Sequence, residues 1–84
     1  MIEVSDLALA DRPRVRRLMV GGRPRTIRLE DELWQAFDDI AGLEGQTRGE
    51  MAALVAAAKA RGVTLTAALR IFIAHYLMSR CLRA

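Results

Sequence analysis

Between Thr26 and Leu29 polar and apolar residues alternate one for one, whereas from Asp31 onward the apolar residues recur every third or fourth position. The period of two places Ile27 and Leu29 on one face of an extended segment and Thr26 and Arg28 on the other, which predicts a strand over about 23–29. A lone strand cannot satisfy its own N–H and C=O groups, and little else in the chain reads as a strand able to pair with it. A second copy of the chain is therefore the expected partner. Upstream, Arg14-Val15-Arg16-Arg17-Leu18-Met19-Val20 leads into Gly21-Gly22, a hairpin signal because both glycines can adopt positive φ. Arg16-Arg17 interrupts the alternation there, so an extra strand over 14–20 and a flexible basic arm both stay open.

The longer period predicts three helices. Leu33, Phe37, Ile40 and Ala41, with Trp34 beside them, make an amphipathic helix over about 31–44, with Glu30, Asp31 and Glu32 where the helix dipole favours negative charge. Gly45 stands where a left-handed cap ends such a helix. Thr47 and Glu50 have the spacing of a capping box and open a second helix over about 48–60, with Met51, Leu54, Val55 and Ala58 on one side and Gly62 as its breaker. Thr64 or Thr66 can cap a third helix over about 65–82, striped by Ala68, Leu69, Phe72, Ile73, Tyr76 and Leu77. Ile71, Met78 and Leu82 carry apolar character round this helix, which is expected to be buried between elements or between subunits. The fold class expected is mainly α with a short β ribbon: residues 1–13 as a flexible tail and 14–84 as a single domain.

Charge sharpens this picture. Seven arginines and no acid lie between Arg12 and Arg28, while seven of the ten acids lie between Glu30 and Glu50. Positive charge is thus concentrated where the strand is. Arginine outnumbers lysine twelve to one, and the planar guanidinium suits phosphate oxygens and the guanine edge, although a biased composition accounts for the preference equally well.

Other chemistry is sparse. One cysteine, Cys81, and one histidine, His75, are too few for an internal disulfide or a multi-ligand metal site, and their six-residue separation puts them on nearly opposite sides of a helix. Asp38 and Asp39 are adjacent rather than facing, and Gly21-Gly22 is not a nucleotide-binding loop. No catalytic residue, metal or cofactor is expected. A chain of 84 residues buries a small fraction of its surface, which favours an oligomer. The acids at its start and the lack of a long apolar run lead us to expect a soluble cytoplasmic protein without membrane association.

The order of basic strand, helix, glycine-containing turn and capped second helix, over Arg23 to about Ala60, resembles the ribbon-helix-helix family of Arc-, Met- and CopG-type repressors. Leu29-Glu30-Asp31-Glu32-Leu33-Trp34, Ile40-Ala41 and Leu65-Thr66-Ala67-Ala68-Leu69-Arg70-Ile71-Phe72 are similar to a bacterial subfamily of predicted regulators with an extra C-terminal helix. The resemblance implies an intertwined homodimer whose paired strands form a ribbon, inner face on the helices and outer face in the major groove of double-stranded DNA. It assigns base reading to Thr26 and Arg28 and backbone contacts to Thr47, Arg48 and Gly49 at the start of the second helix, while Arg23 and Arg25 are expected to contact the backbone because Pro24 limits the ribbon and Arg25 shares the parity of the inward residues. Thr47 serves as a helix cap whether or not DNA binds. Pro24 shares the outward parity but donates no backbone hydrogen bond, which limits the ribbon.

The function expected is a sequence-specific DNA-binding regulator acting as a repressor. The competing expectation is a protein-interaction adaptor or antitoxin-like module on the same fold, with a protein partner in place of an operator. The apolar, helical C-terminus differs from the polar extended segment with which antitoxins of this fold engage their toxins, and it fits a dimer core instead.

Overall fold

In the computed structural model, which describes residues 13–80, the chain runs β1 (Arg14–Val20), β2 (Arg23–Leu29), α1 (Asp31–Leu43), α2 (Arg48–Ala58) and α3 (Leu65–Arg80). Most of the expected tail, together with Cys81 and Leu82, lies outside the described residues.

β1 and β2 pair antiparallel, from Val20 opposite Arg23 to Arg14 opposite Leu29. Gly21 and Gly22 form the two-residue loop at φ 59° and 80°, and a loop whose two central residues both need positive φ favours glycine at each. The segment 14–20 is therefore a strand, and the expectation that a second copy supplies the nearest partner of β2 is corrected: β1 of the same chain supplies it. Alternation is obscured in β1 because arginines stand on both of its faces. Arg14 and Arg16 take the inward parity without being buried, Arg14 by pairing with Asp31 at 3.0 Å and Arg16 by lying 5.6 Å from the centroid of Trp34. The buried Trp34 indole N–H donates to the Arg14 carbonyl at 2.9 Å, tying the start of β1 to α1.

Local signals set the helix ends. The Glu30 carbonyl accepts from the N–H groups of Leu33 and Trp34, while its carboxylate holds Arg70 at 2.9 and 3.1 Å. α1 ends at Leu43, one residue before the expected end, with Gly45 at φ 69° and the Gln46 N–H donating to the Ala41 carbonyl at 2.8 Å. At α2 the capping box is complete: Glu50 N–H donates to Thr47 Oγ1 at 3.1 Å, and Thr47 N–H to the Glu50 carboxylate at 2.8 Å. α2 stops at Ala58 rather than Ala60, because Lys59 already turns to extended backbone. Of the two candidate caps for α3, Thr64 is the one used, accepting from Ala67 N–H at 3.1 Å; Thr66 lies inside the helix.

One core joins all five elements. Val20, Ile27 and Leu29 from the hairpin meet Trp34, Phe37, Ile40 and Ala41 of α1, Met51, Ala52 and Val55 of α2, and Ala68, Leu69 and Ile73 of α3. Phe37 and Phe72 meet edge to face with centroids 6.3 Å apart. No polar or charged side chain is buried among the described residues. Within the chain α3 is covered on one side only: Ile73 is buried, but Ile71 and Met78 are more than half exposed.

Candidate nucleic-acid interface

The hairpin has two chemically distinct faces, and the register says which residues share each. On the inner face Arg16 stands opposite Ile27, Leu18 opposite Arg25 and Val20 opposite Arg23. On the outer face Val15 stands opposite Arg28, Arg17 opposite Thr26 and Met19 opposite Pro24, and all six residues are exposed. Side chains directly opposite in an antiparallel pair lie about 5 Å apart at Cβ, so Arg17, Thr26 and Arg28 make one contiguous polar patch, flanked by Val15 and Met19.

Most other arginines are already engaged. Arg14 is held by Asp31, Arg70 by Glu30, and Arg80 by Glu44 at 3.4 Å. Arg48 makes the tightest pair, a two-pronged bond to Asp38 with Nε at 2.7 Å and a terminal nitrogen at 2.6 Å, and its guanidinium lies 5.1 Å from the Trp34 centroid. The hydrogen bond that Arg48 donates to Asp38 holds the Arg48 pKa above its ordinary value, against the opposing effect of burial. Among the described residues no ion pair or side-chain hydrogen bond engages Arg17, Arg23, Arg25 or Arg28. The hairpin therefore carries a cluster of guanidinium groups without an ion-pair partner among the described residues.

The residues expected to touch DNA divide into three groups. Thr26 and Arg28 stand together on the outer face. Arg23 and Arg25 share the parity of Ile27 and Leu29, yet both are exposed, near the turn. Thr47, Arg48 and Gly49 gather at the start of α2, beside β1, but much of their chemistry is used within the chain. Thr47 spends its N–H and its hydroxyl on the capping box, and the Arg48 side chain spends two donors on Asp38. Gly49 has an internal reason to lack a side chain, because a Cβ there would lie 2.9 Å from the Met19 carbonyl oxygen. Close packing of α2 against β1 requires this glycine. What the first turn of α2 still offers an anion is the N–H of Arg48 and of Gly49.

Arg17 is the outer-face residue that sequence reasoning passed over. Its signal was present: counting equal numbers of residues back and forward from Gly21-Gly22 sets it opposite Thr26. The Asp38–Arg48 pair joins residues of different helices and left no local signal.

No helix among the described residues is long and apolar enough to cross a membrane, and no group of three or more His, Cys, Asp or Glu among them could hold a metal ion. No curated protein and no solved structure matches the chain. A family model, that of the ribbon-helix-helix domain, matches residues 13–77. Because that span takes in the whole hairpin, α1, α2 and most of α3, the chain belongs to the ribbon-helix-helix family, a fold of DNA-binding transcriptional regulators.

Proposed function

We propose that the chain is a sequence-specific regulator of transcription that binds double-stranded DNA as a homodimer and represses by occluding its site. The observation that carries this reading is the outer face of the hairpin, where Thr26 and Arg28 are exposed and have no partner within the described residues, while most arginines elsewhere are paired. Arg28 offers a fork to guanine O6 and N7, and Thr26 a hydroxyl to a base or a methyl to thymine. Arg23, Arg25 and the free N–H groups of Arg48 and Gly49 are suited to phosphates, which set the register without reading sequence.

The hairpin also favours one way of pairing two copies. A two-residue loop makes the flanking pair Val20–Arg23 a hydrogen-bonded one, so by alternation Met19–Pro24, Arg17–Thr26 and Val15–Arg28 are non-bonded pairs whose backbone groups face the free edges. Pro24 has no N–H to give, so at the far edge of β2 it can offer a partner strand its carbonyl alone. On the β1 edge the Met19 carbonyl already faces Gly49 of α2, and two β1 strands joined about a two-fold axis would oppose Arg17 to Arg17, an unfavourable like-charge pair. Pairing through the far edge of β2 instead opposes Thr26 to Thr26 and sets Arg28 beside Pro24. Two-fold symmetry then calls for a pseudo-palindromic operator.

Selection of genomic fragments with the purified protein at physiological salt, followed by sequencing, tests this reading. The expected result is an enriched, inverted-repeat motif. Failure to enrich any motif favours a protein-binding adaptor, which the exposed Leu54, Ile71 and Met78 on α2 and α3 support as the second reading.

A further inference from the structure

We propose that Arg17 of β1 grips the DNA phosphates that wall the major groove, one from each copy, so that the outer strands act as a clamp around a two-stranded reading ribbon. This rests on the DNA-binding homodimer described above.

The geometry comes from the hairpin register. Two copies paired through β2 make a sheet in the order β1, β2, β2, β1, whose central outer-face row runs Arg17, Thr26, Thr26, Arg17. Neighbouring strands lie about 4.8 Å apart, which separates the two Arg17 positions by roughly 14 Å. The major groove is about 12 Å wide and admits two strands, not four. The β2 pair therefore enters, and each β1 lies above a groove wall, where phosphates are the available ligands. Arg17 suits that position in three respects. It points to the same side as Thr26, its guanidinium has no partner among the described residues, and its outward neighbours on β1 are the apolar Val15 and Met19. The other β1 arginines are turned away, Arg14 to Asp31 and Arg16 to Trp34.

Phosphate gripping and base reading leave different signatures. Binding of the wild type, Arg17→Ala, Arg17→Lys and Arg28→Ala to the selected duplex and to a scrambled duplex is measured across a salt series. Two lost phosphate contacts per dimer should lower the slope of log affinity against log salt by about 1.8, so that the wild type loses roughly tenfold more affinity than Arg17→Ala between about 50 and about 200 mM salt. Arg17→Ala should weaken both duplexes alike, leave the selected motif unchanged, and be largely rescued by Arg17→Lys, because a phosphate accepts a point charge. Circular dichroism should be unchanged, since the side chain supports nothing within the chain.

A motif altered by Arg17→Ala, or an unaltered salt slope, overturns the clamp while Arg28→Ala still relaxes the preference and so upholds the reading ribbon. If the wild type binds neither duplex, the clamp and the reading ribbon fall together.

Discussion

Replacing Gly49 with alanine sets two effects of opposite sign against each other. In a helix, alanine in place of glycine is worth roughly 0.5 to 1 kcal/mol of added stability, because glycine loses more backbone freedom on folding. Here the new methyl would stand 2.9 Å from the Met19 carbonyl oxygen, closer than a real Cβ approaches an oxygen, and the obstacle is backbone rather than a movable side chain. Either α2 or β1 must retreat, and overpacking of this kind costs about 1 to 3 kcal/mol. The net expectation is a loss of up to about 2.5 kcal/mol, centred near about 1 kcal/mol, which for a domain of this size lowers the melting temperature by several degrees. Urea denaturation at a fixed protomer concentration reads it directly, as a lower midpoint with an unchanged slope. A rise in the midpoint would show that α2 does not seat against β1 as described, and would return Gly49 to a role in phosphate approach alone.

Phe37 is fully buried between the helices, and Phe37→Ala should cost about 3 to 5 kcal/mol in the same denaturation assay; a loss below 1 kcal/mol would contradict its place in the core. A double-mutant cycle of Asp38→Asn and Arg48→Gln should give a coupling of about 0.5 to 1 kcal/mol, since the pair is two-pronged but partly exposed. Additive effects in that cycle would mean the bond is not made in solution. Arg28→Ala should cost roughly 1 to 3 kcal/mol of DNA affinity and relax the preference at one base pair per half-site, measured by binding to single-substitution operators. Uniform weakening of all operators would move Arg28 to the backbone contacts.

The elements legible in the sequence were those whose faces differ sharply in polarity. Ile27 and Leu29 against Thr26 and Arg28 marked β2, and the stripe through Leu33, Phe37 and Ile40 marked α1. β1 stayed ambiguous because burial there does not follow polarity: Arg14 and Arg16 take inward positions by using Asp31 and the Trp34 ring, partners that local spacing cannot reveal. The same limit applied at the start of α2. Thr47 was readable as a cap because Glu50 is three residues away, whereas the Arg48 partner Asp38 lies in the preceding helix and the Gly49 neighbour Met19 in the first strand. Ile73 illustrates the converse, since its place in the α3 stripe is compatible with a subunit interface or an internal core, and packing against the rest of the chain selects the core. A substitution at Ile73 thus reports on folding, whereas the exposed Ile71 is the position at which a contact of α3 outside the chain would be tested.

The Gly21-Gly22 loop has a kinetic consequence. A ribbon whose only ladder joins two chains must await a bimolecular encounter before any strand hydrogen bond forms, so its folding slows with dilution. Here the first ladder closes within one chain, across two residues, on the microsecond timescale of hairpin formation and at a rate independent of concentration. In the proposed homodimer, dilution would then separate the birth of the sheet from the meeting of two copies, the amount of protein governing the second event alone.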